Sequence, residues 1–322
     1  MLKSLAVVME EPEHLALTSL VLDPPAATDV VVETHWSGVS TGTERLLYTG
    51  KMPMFPGMGY PLVPGYETVG TIVEVGADAG LAIGSRVFVP GARCYCAVRG
   101  LHGGAASHLV APAARVVPVP VSLGENAVLL ALGATALHAI SPPASANANF
   151  ADALAEGVLI VGHGVLGRLL ARLALLSSGK APVVWEKNPA RSGGAVGYEV
   201  MSPEDDKRRD YRLIFDVSGD AGILDSVIQR LAPGGEIILA GFYDTLGFHF
   251  PPAFMREARI RIAAQWHEGD LAKVVALIES GRLSLDGLIT HRRFAREASE
   301  AYPIAFSDPS CLKMVLDWRE RT

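Results

Sequence analysis

The chain has 322 residues, 49% hydrophobic and 19% charged, with 28 Lys and Arg against 34 Asp and Glu for a net charge of −6. It exceeds the roughly 250–300 residues at which single cores stop growing, so two domains are expected. The apolar content excludes disorder, and the scattered basic residues argue against a nucleic-acid binder.

The opening MLKSLAVVMEEPEHL has an apolar run too short for a secretory leader and reads as a first strand. To about residue 120, the runs LAVVM, DVVVET, ETVGTIVEVG, SRVFVP and SHLVAPAARVVPVP alternate with Pro and Gly clusters, the spacing of a β-rich, barrel-like domain. Cys94 and Cys96 form a C-x-C pair with no second pair, so they read as loop thiols rather than a structural zinc site, and three cysteines in all fit a reducing compartment. Residues 122–140 predict a helix opened by a capping Ser122 with Glu125 three positions on. The apolar stretch at 127–140 falls short of the roughly 18 residues that span a bilayer, so no transmembrane segment and a cytoplasmic location are expected. Residues 142–156, PPASANANFADALAE, read as a loop.

From residue 157 strands and helices alternate: GVLIVG, GRLLARLALLSSG, PVVWE, YRLIFDVSG, DSVIQRLAPGG and EIILAGFY. That alternation marks a parallel sheet with crossover helices. After about 290 the chain is predicted to return to the first domain through the strand-like CLKMVLDW. The expected boundaries are 1–125, 126–290 and 291–322.

Gly162, Gly164 and Gly167 stand in G-x-G-x-x-G spacing after an apolar strand and before a helical pattern, with Val165 and Leu166 between the last two glycines. In that context the first glycine allows a tight turn, the second lets backbone approach a pyrophosphate, and the third packs helix on strand. Glu186 ends PVVWE, where a carboxylate accepts the ribose hydroxyls of adenosine and repels a 2′-phosphate, so NAD is favoured over NADP. Lys187 and Arg191 follow closely; the carboxylate meets the ribose first, and both cations read as a solvated loop. Ser218, Gly219, Gly241 and Phe242 lie at the ends of two further strands and are candidate cofactor neighbours.

The order of domains, with GVSTGTE, PGYETVGTIVEVG, IGSRVFVP and the glycine triplet, resembles the medium-chain dehydrogenase/reductase superfamily over essentially the whole chain. The resemblance implies an α/β plus β fold: a GroES-like β-rich catalytic domain and a Rossmann domain with a doubly wound parallel sheet. A narrower resemblance rests on SGVSTGTERLLYTGKMPMFPGMGYPLVPGYE, LIVGHGVLGRLLARL, VVWEKNPAR, GAVGYEV, IESGRLSLDGLITHRR and CLKMVLDW. These are similar to the enzyme family that oxidises the 3-(1-hydroxyethyl) group of a bacteriochlorophyllide to 3-acetyl with NAD. That likeness implies a bacteriochlorophyllide substrate. The superfamily resemblance implies a homodimer paired at the Rossmann edge, so that PPAFMREARIRIAAQW (251–266) either forms that interface or lines the far side of the cleft, and peripheral membrane association is allowed.

Zinc enzymes of the superfamily take ligands at positions that here fall on Ser40 or Thr41, Tyr66 and Ala131. Hydroxyls are poor zinc ligands and alanine is none, so no metal is expected in the active site. Alcohol oxidation then needs Ser40 and Thr43 as relays, Tyr66 as hydrogen-bond partner, and Glu44, Glu67 or His35 as acceptor. Tyr66 reads equally well as filler of the space vacated by a metal, and Glu67 as a structural brace. Met52, Met54, Phe55, Met58 and Tyr60 suit a flat apolar ligand, Arg45, Lys51 or Arg93 a propionate, while His102 and His108 take no assignment. Two other readings remain: a zinc-free NAD(P)H quinone or enoyl reductase, and a non-catalytic NAD- and pigment-binding protein.

Overall fold

A computed structural model describes residues 2–141 and 150–319. The chain divides into two compact units, Met1–Ala131 with Leu288–Thr322, and Leu132–Gly287.

The first unit opens with an antiparallel hairpin of β1 (Lys3–Glu11) and β2 (His14–Val21), the second of which no sequence run had marked. β3 (Asp29–Val39), β4 (Thr68–Val75), β5 (Arg86–Val89), β6 (His108–Pro112) and β7 (Val117–Pro118) follow. β3 is the spine: its valines are buried, it pairs along its length with β4, and its first half also pairs with β6. Val30, Val32, Ile72, Val87 and Leu109 close one core on it. A short helix, Thr43–Tyr48, leaves the end of β3 and buries Glu44 and Leu47.

The helical pattern after residue 120 is a 3-10 stretch, Val121–Leu129, kinked at Gly124 and continued by the α-helix Leu130–Ile140. The predicted capping box does not form: no side chain caps this start, and Glu125 instead holds Arg292. The whole run Val121–Ile140 is long and apolar enough to cross a bilayer, contrary to the sequence count, but 61% of its apolar window is buried inside the protein, as in a core helix. Part of the expected loop after it, residues 142–149, lies outside the described residues; the rest is corrected, because Phe150–Ala155 is a helix that buries Phe150, Ala153 and Leu154.

The second unit carries β8 (Leu159–Val161), β9 (Val183–Trp185), β10 (Glu199–Met201), β11 (Tyr211–Asp216), β12 (Leu231–Leu239) and β13 (Arg259–Ile262). All pair in parallel in the order β10-β9-β8-β11-β12-β13. This is the Rossmann order, whose direction of growth reverses between β8 and β11 and so opens a crevice at the strands' carboxyl ends. The helix Val165–Ser178 buries Val165, Leu169, Leu170 and Leu173 on one stripe and ends at Gly179 in the left-handed region. DSVIQRLAPGG yields only the short helix Leu224–Ile228, since β12 begins already at Leu231.

β14 (His291–Phe294) and β15 (Met314–Asp317) complete the first sheet: β15 pairs antiparallel with the second half of β3, Met314 opposite Val39. The helix Ala298–Ser307 between them packs Ala298, Ala301 and Tyr302 against Leu47, Met314 and Leu316.

Candidate functional sites in the two units

In the second unit the chain turns sharply after β8. Gly162 sits at φ +104°, a methyl on Gly167 would collide with the Gly162 carbonyl oxygen, and nothing within 4 Å would meet one on Gly164. The turn therefore has a packed floor and an open face at the N-terminus of a 14-residue helix, where amide groups and helix dipole favour an anion. Gly164 caps that helix, and Val165 and Leu166 form its first turn.

Glu186, just past β9, is held from both sides: His163 N–H donates to its Oε2 at 3.0 Å and Asn188 N–H to its Oε1 at 2.8 Å. His163 is fully buried and carries more of the site than its place between two glycines announces. Its Nδ1 meets the Arg191 carbonyl at 2.6 Å and its Nε2 the Tyr198 hydroxyl at 2.8 Å. The carbonyl can only accept, so Nδ1 carries the proton and Nε2 accepts from Tyr198. Burial lowers its pKa, in keeping with that neutral ring. Buried Arg168 ties the same loop from below, donating to the carbonyls of His163, Arg191 and Gly193. Lys187 pairs with Asp220 at 3.1 Å. Beyond β11, Ser218 and Gly219 are exposed, and Ser218 N–H donates to the buried Asp216 carboxylate at 3.0 Å, whose pKa burial raises. Gly241 and exposed Phe242 follow β12, and Tyr243 reaches back to Asp216 at 2.5 Å. The candidate residues of this unit thus lie at the carboxyl ends of β8, β9, β11 and β12.

In the first unit the end of β3, the start of helix Thr43–Tyr48 and the approach to β4 bring the other candidates together. The Tyr66 hydroxyl donates to Ser40 Oγ at 2.7 Å. Its pKa is pushed well above the usual phenol value, first by burial and then by Glu67, with the Ser40 and Thr43 hydroxyls opposing. Glu67 is fully buried against Lys313, which is 1% exposed, its Nζ lying 2.6 and 2.8 Å from the two carboxylate oxygens. Burial raises the Glu67 pKa while Lys313 pulls it down. Gly38 makes room for that carboxylate, because a methyl there would strike Glu67 Oε2.

Glu44 is also fully buried, but neither of its oxygens meets a donor at hydrogen-bonding geometry; the same holds for the Tyr302 hydroxyl. Burial foremost, and then Glu67, push its pKa up to about 8, while Tyr302, Lys313 and the Ser40 backbone lie near enough to oppose the rise. His102 packs edge-on against Tyr66 with ring centroids 5.2 Å apart, and burial, with Arg93 adding to it, lowers its pKa to about 4.

Other candidates stay outside this cluster. His35 bonds to Thr71 across β3 and β4 at 3.3 Å, and His108 to Ser107 at 3.2 Å. Of the apolar loop, Met52 is buried, Met58 and Tyr60 pack onto the core with Tyr60 donating to the Leu47 carbonyl, and Met54 and Phe55 are exposed. Arg45, Lys51 and Arg93 are exposed, and among them Arg93 acts on His102. Lys313 and Tyr302 were missed by sequence reasoning, and His102 was named without an assignment: no motif flags a role for them, since each acquires meaning from partners distant in the chain. Of the positions that the superfamily resemblance matches to zinc ligands, Ser40 or Thr41, Tyr66 and Ala131, the structure bonds Ser40 to Tyr66 and buries Ala131.

Residues 26–121 match the alcohol dehydrogenase GroES-like domain. Over 316 residues the chain is 54% identical to 2-desacetyl-2-hydroxyethyl bacteriochlorophyllide A dehydrogenase of Rhodobacter capsulatus, covering 98% of each. The chain belongs to the hydroxyethyl bacteriochlorophyllide dehydrogenase family. Membership makes it an alcohol-oxidising oxidoreductase of the medium-chain superfamily and sets aside the reductase and non-catalytic readings. An alcohol dehydrogenase from E. coli CFT073 complexed with NADH shares the fold of this family member at TM-score 0.80 and 21% identity, over 98% of this chain and 99% of that one. A zinc-binding dehydrogenase from Sinorhizobium meliloti 1021 bound to NADP does so at TM-score 0.77 and 18% identity, over 99% and 100%.

Proposed function

We propose that the chain oxidises the 3-(1-hydroxyethyl) group of a bacteriochlorophyllide to 3-acetyl, with NAD as hydride acceptor and without a catalytic zinc. The observation that carries this reading is the Ser40–Tyr66 hydroxyl pair beside the orphaned Glu44 carboxylate, at the positions where zinc members carry ligands. Two hydroxyls and a methyl do not fit zinc, which takes thiolate, imidazole and carboxylate. No step is assigned to a metal.

The second unit's turn fits a dinucleotide: pyrophosphate against the open face of Gly164 and the amides that follow it, and adenosine ribose on the anchored Glu186. The carboxylate repels a 2′-phosphate, and Lys187 is engaged by Asp220, which supports NAD over NADP. A nicotinamide held there would supply the acceptor for the hydride that leaves the carbinol carbon. The chain's own residues dispose of the proton. Tyr66 stays protonated, so it works as a relay and not as a phenolate base. The alcohol proton passes to Ser40 or Tyr66 as one of them releases its own towards Glu44. With a pKa of about 8, Glu44 accepts and returns a proton near neutral pH. Glu67, locked to Lys313, holds charge balance instead of cycling. Exposed Met54 and Phe55 offer apolar contact to the macrocycle, and Arg93 a partner for its propionate.

A homodimer through β13 is part of the same proposal. β13 ends its sheet order, and Ile262, Phe254 and Met255 near it are exposed. Steady-state formation of acetyl pigment by chelator-dialysed protein, with NAD and NADP compared, tests the chemistry. Turnover with NAD at undiminished rate is expected; activity lost on chelation and restored by Zn²⁺, with the unfolding midpoint unchanged throughout, overturns the metal-free reading.

A further inference from the structure

A second cluster, away from both sites described above, lies wholly within the second unit. His138 stands near the end of helix Leu130–Ile140, and His267 and Asp270 flank the start of helix Asp270–Glu279. The two imidazoles come from segments far apart in sequence, yet their ring centroids are 4.0 Å apart at a 55° tilt. Among the described residues neither ring has a hydrogen-bond partner, so the pair meets without a hydrogen bond that would explain the approach. Asp270 is 5% exposed, and one donor atom from each of the three residues lies within 4.8 Å of the others.

We propose that His138, His267 and Asp270 form a binding site for one first-row divalent transition-metal ion, Zn²⁺ being the natural occupant. Two imidazoles and one carboxylate, with water in the fourth position, make an open tetrahedral zinc shell. Zinc–nitrogen bonds of about 2.0–2.1 Å impose a donor separation of roughly 3.3 Å, so the cluster contracts on binding from the 4.8 Å within which its donors now lie. His267 is exposed and can move with that contraction. Asp270 already accepts from the His267 backbone N–H at 2.9 Å, which orients the carboxylate within the turn that presents it. Its other oxygen is met by Lys273, an ammonium whose side chain is 66% exposed; so weak an ion pair yields to a divalent ion. Occupied, the site clips the end of one helix to the start of another. It also means that zinc found in the purified protein does not by itself report a metal at Tyr66.

The test is a Co²⁺ titration of the full-length protein, followed by visible d–d absorption and repeated with Zn²⁺ by calorimetry. One ion per chain is expected. H267Q and H138Q are each expected to weaken it by at least the roughly 10- to 100-fold that loss of a mere outer-shell partner costs. Absence of a d–d band, or binding undiminished in the H138Q/H267Q double variant, overturns the proposal. An ion that survives the double variant but is lost in E67Q or H102Q overturns both this proposal and the metal-free active site. If the variants fold poorly, histidine modification of the unaltered protein with diethyl pyrocarbonate decides: Zn²⁺ protects His138 and His267 if the site exists, and equal labelling with and without Zn²⁺ rules it out.

Discussion

The turn proposed for the dinucleotide in the second unit and the hydroxyl cluster proposed for the chemistry in the first are held together by opposite means. In the turn the working groups are main-chain amides and one carboxylate, all within 25 residues from Gly162 to Glu186, and the geometry is imposed by what glycines leave out. In the cluster they are side chains drawn from the end of β3, the helix Thr43–Tyr48, the segment before β4 and the chain's last strand region, with Glu67 and Lys313 separated by 246 positions. A site made of backbone tolerates change in most of its side chains. A site made of buried side chains depends on each partner, because removing one strands the charge or hydroxyl of another.

The sharpest way to break that contrast is Lys313→Met. It leaves Glu67 buried without its cation and is expected to cost about 3–5 kcal/mol in urea unfolding, most of it recovered in the Lys313→Met/Glu67→Gln double variant. A cost below about 1 kcal/mol would show that the pair does not hold the cluster together. Tyr66→Phe is expected to lower kcat roughly 100-fold, the lower end for a lost proton relay, with NADH affinity and unfolding midpoint unchanged. If kcat stays within about twofold, Tyr66 merely fills space.

Gly167→Ala and Gly164→Ala probe the other side of the comparison. The first drives a methyl into the Gly162 carbonyl and is expected to cost about 1–3 kcal/mol and abolish NADH binding. The second meets nothing in the protein, so stability holds while cofactor affinity falls. Equal stability losses in the two would erase the distinction between packed floor and open face. The last effect is spread over a range of pH. Glu44 in the native state titrates at about 8 against 4.5 unfolded, so from about pH 4.5 to 8 the unfolded chain has released a proton that the folded one keeps. Stability therefore falls as pH rises through that window, by at most about 1.4 kcal/mol per pH unit from this group. Glu44→Gln should flatten that contribution, and with it the rise of the oxidation rate towards pH 8; an unchanged slope would mean that Glu44 does not titrate there.

The glycine triplet, Glu186 and the β-rich character of the first half were readable because each depends on neighbours a few residues away. Other local signals misled. Ser122 and Glu125 have the spacing of a capping box, yet Gly124 breaks the turn and Glu125 serves Arg292. FADALA looked like part of a polar loop, yet its apolar residues are buried as a helix. Ser40, Thr43 and Tyr66 were named from the chain, but the Tyr66–Ser40 hydrogen bond, the burial of Glu44, and the separation of His35 from them came from the packing.

The sequence by itself determined the alternation that builds a parallel sheet, the glycine spacing that shapes the turn after β8, and the hydroxyls and alanine at the positions matched by resemblance to zinc ligands. Only the tertiary structure decided that Lys313 neutralises Glu67, that Glu44 lies buried beside Tyr302, and that His138 meets His267. Periodicity and turn chemistry act over a few residues and leave their mark in the order of letters. The burial of a charge and the meeting of distant side chains depend on how strands and helices pack, and local sequence carries no record of that.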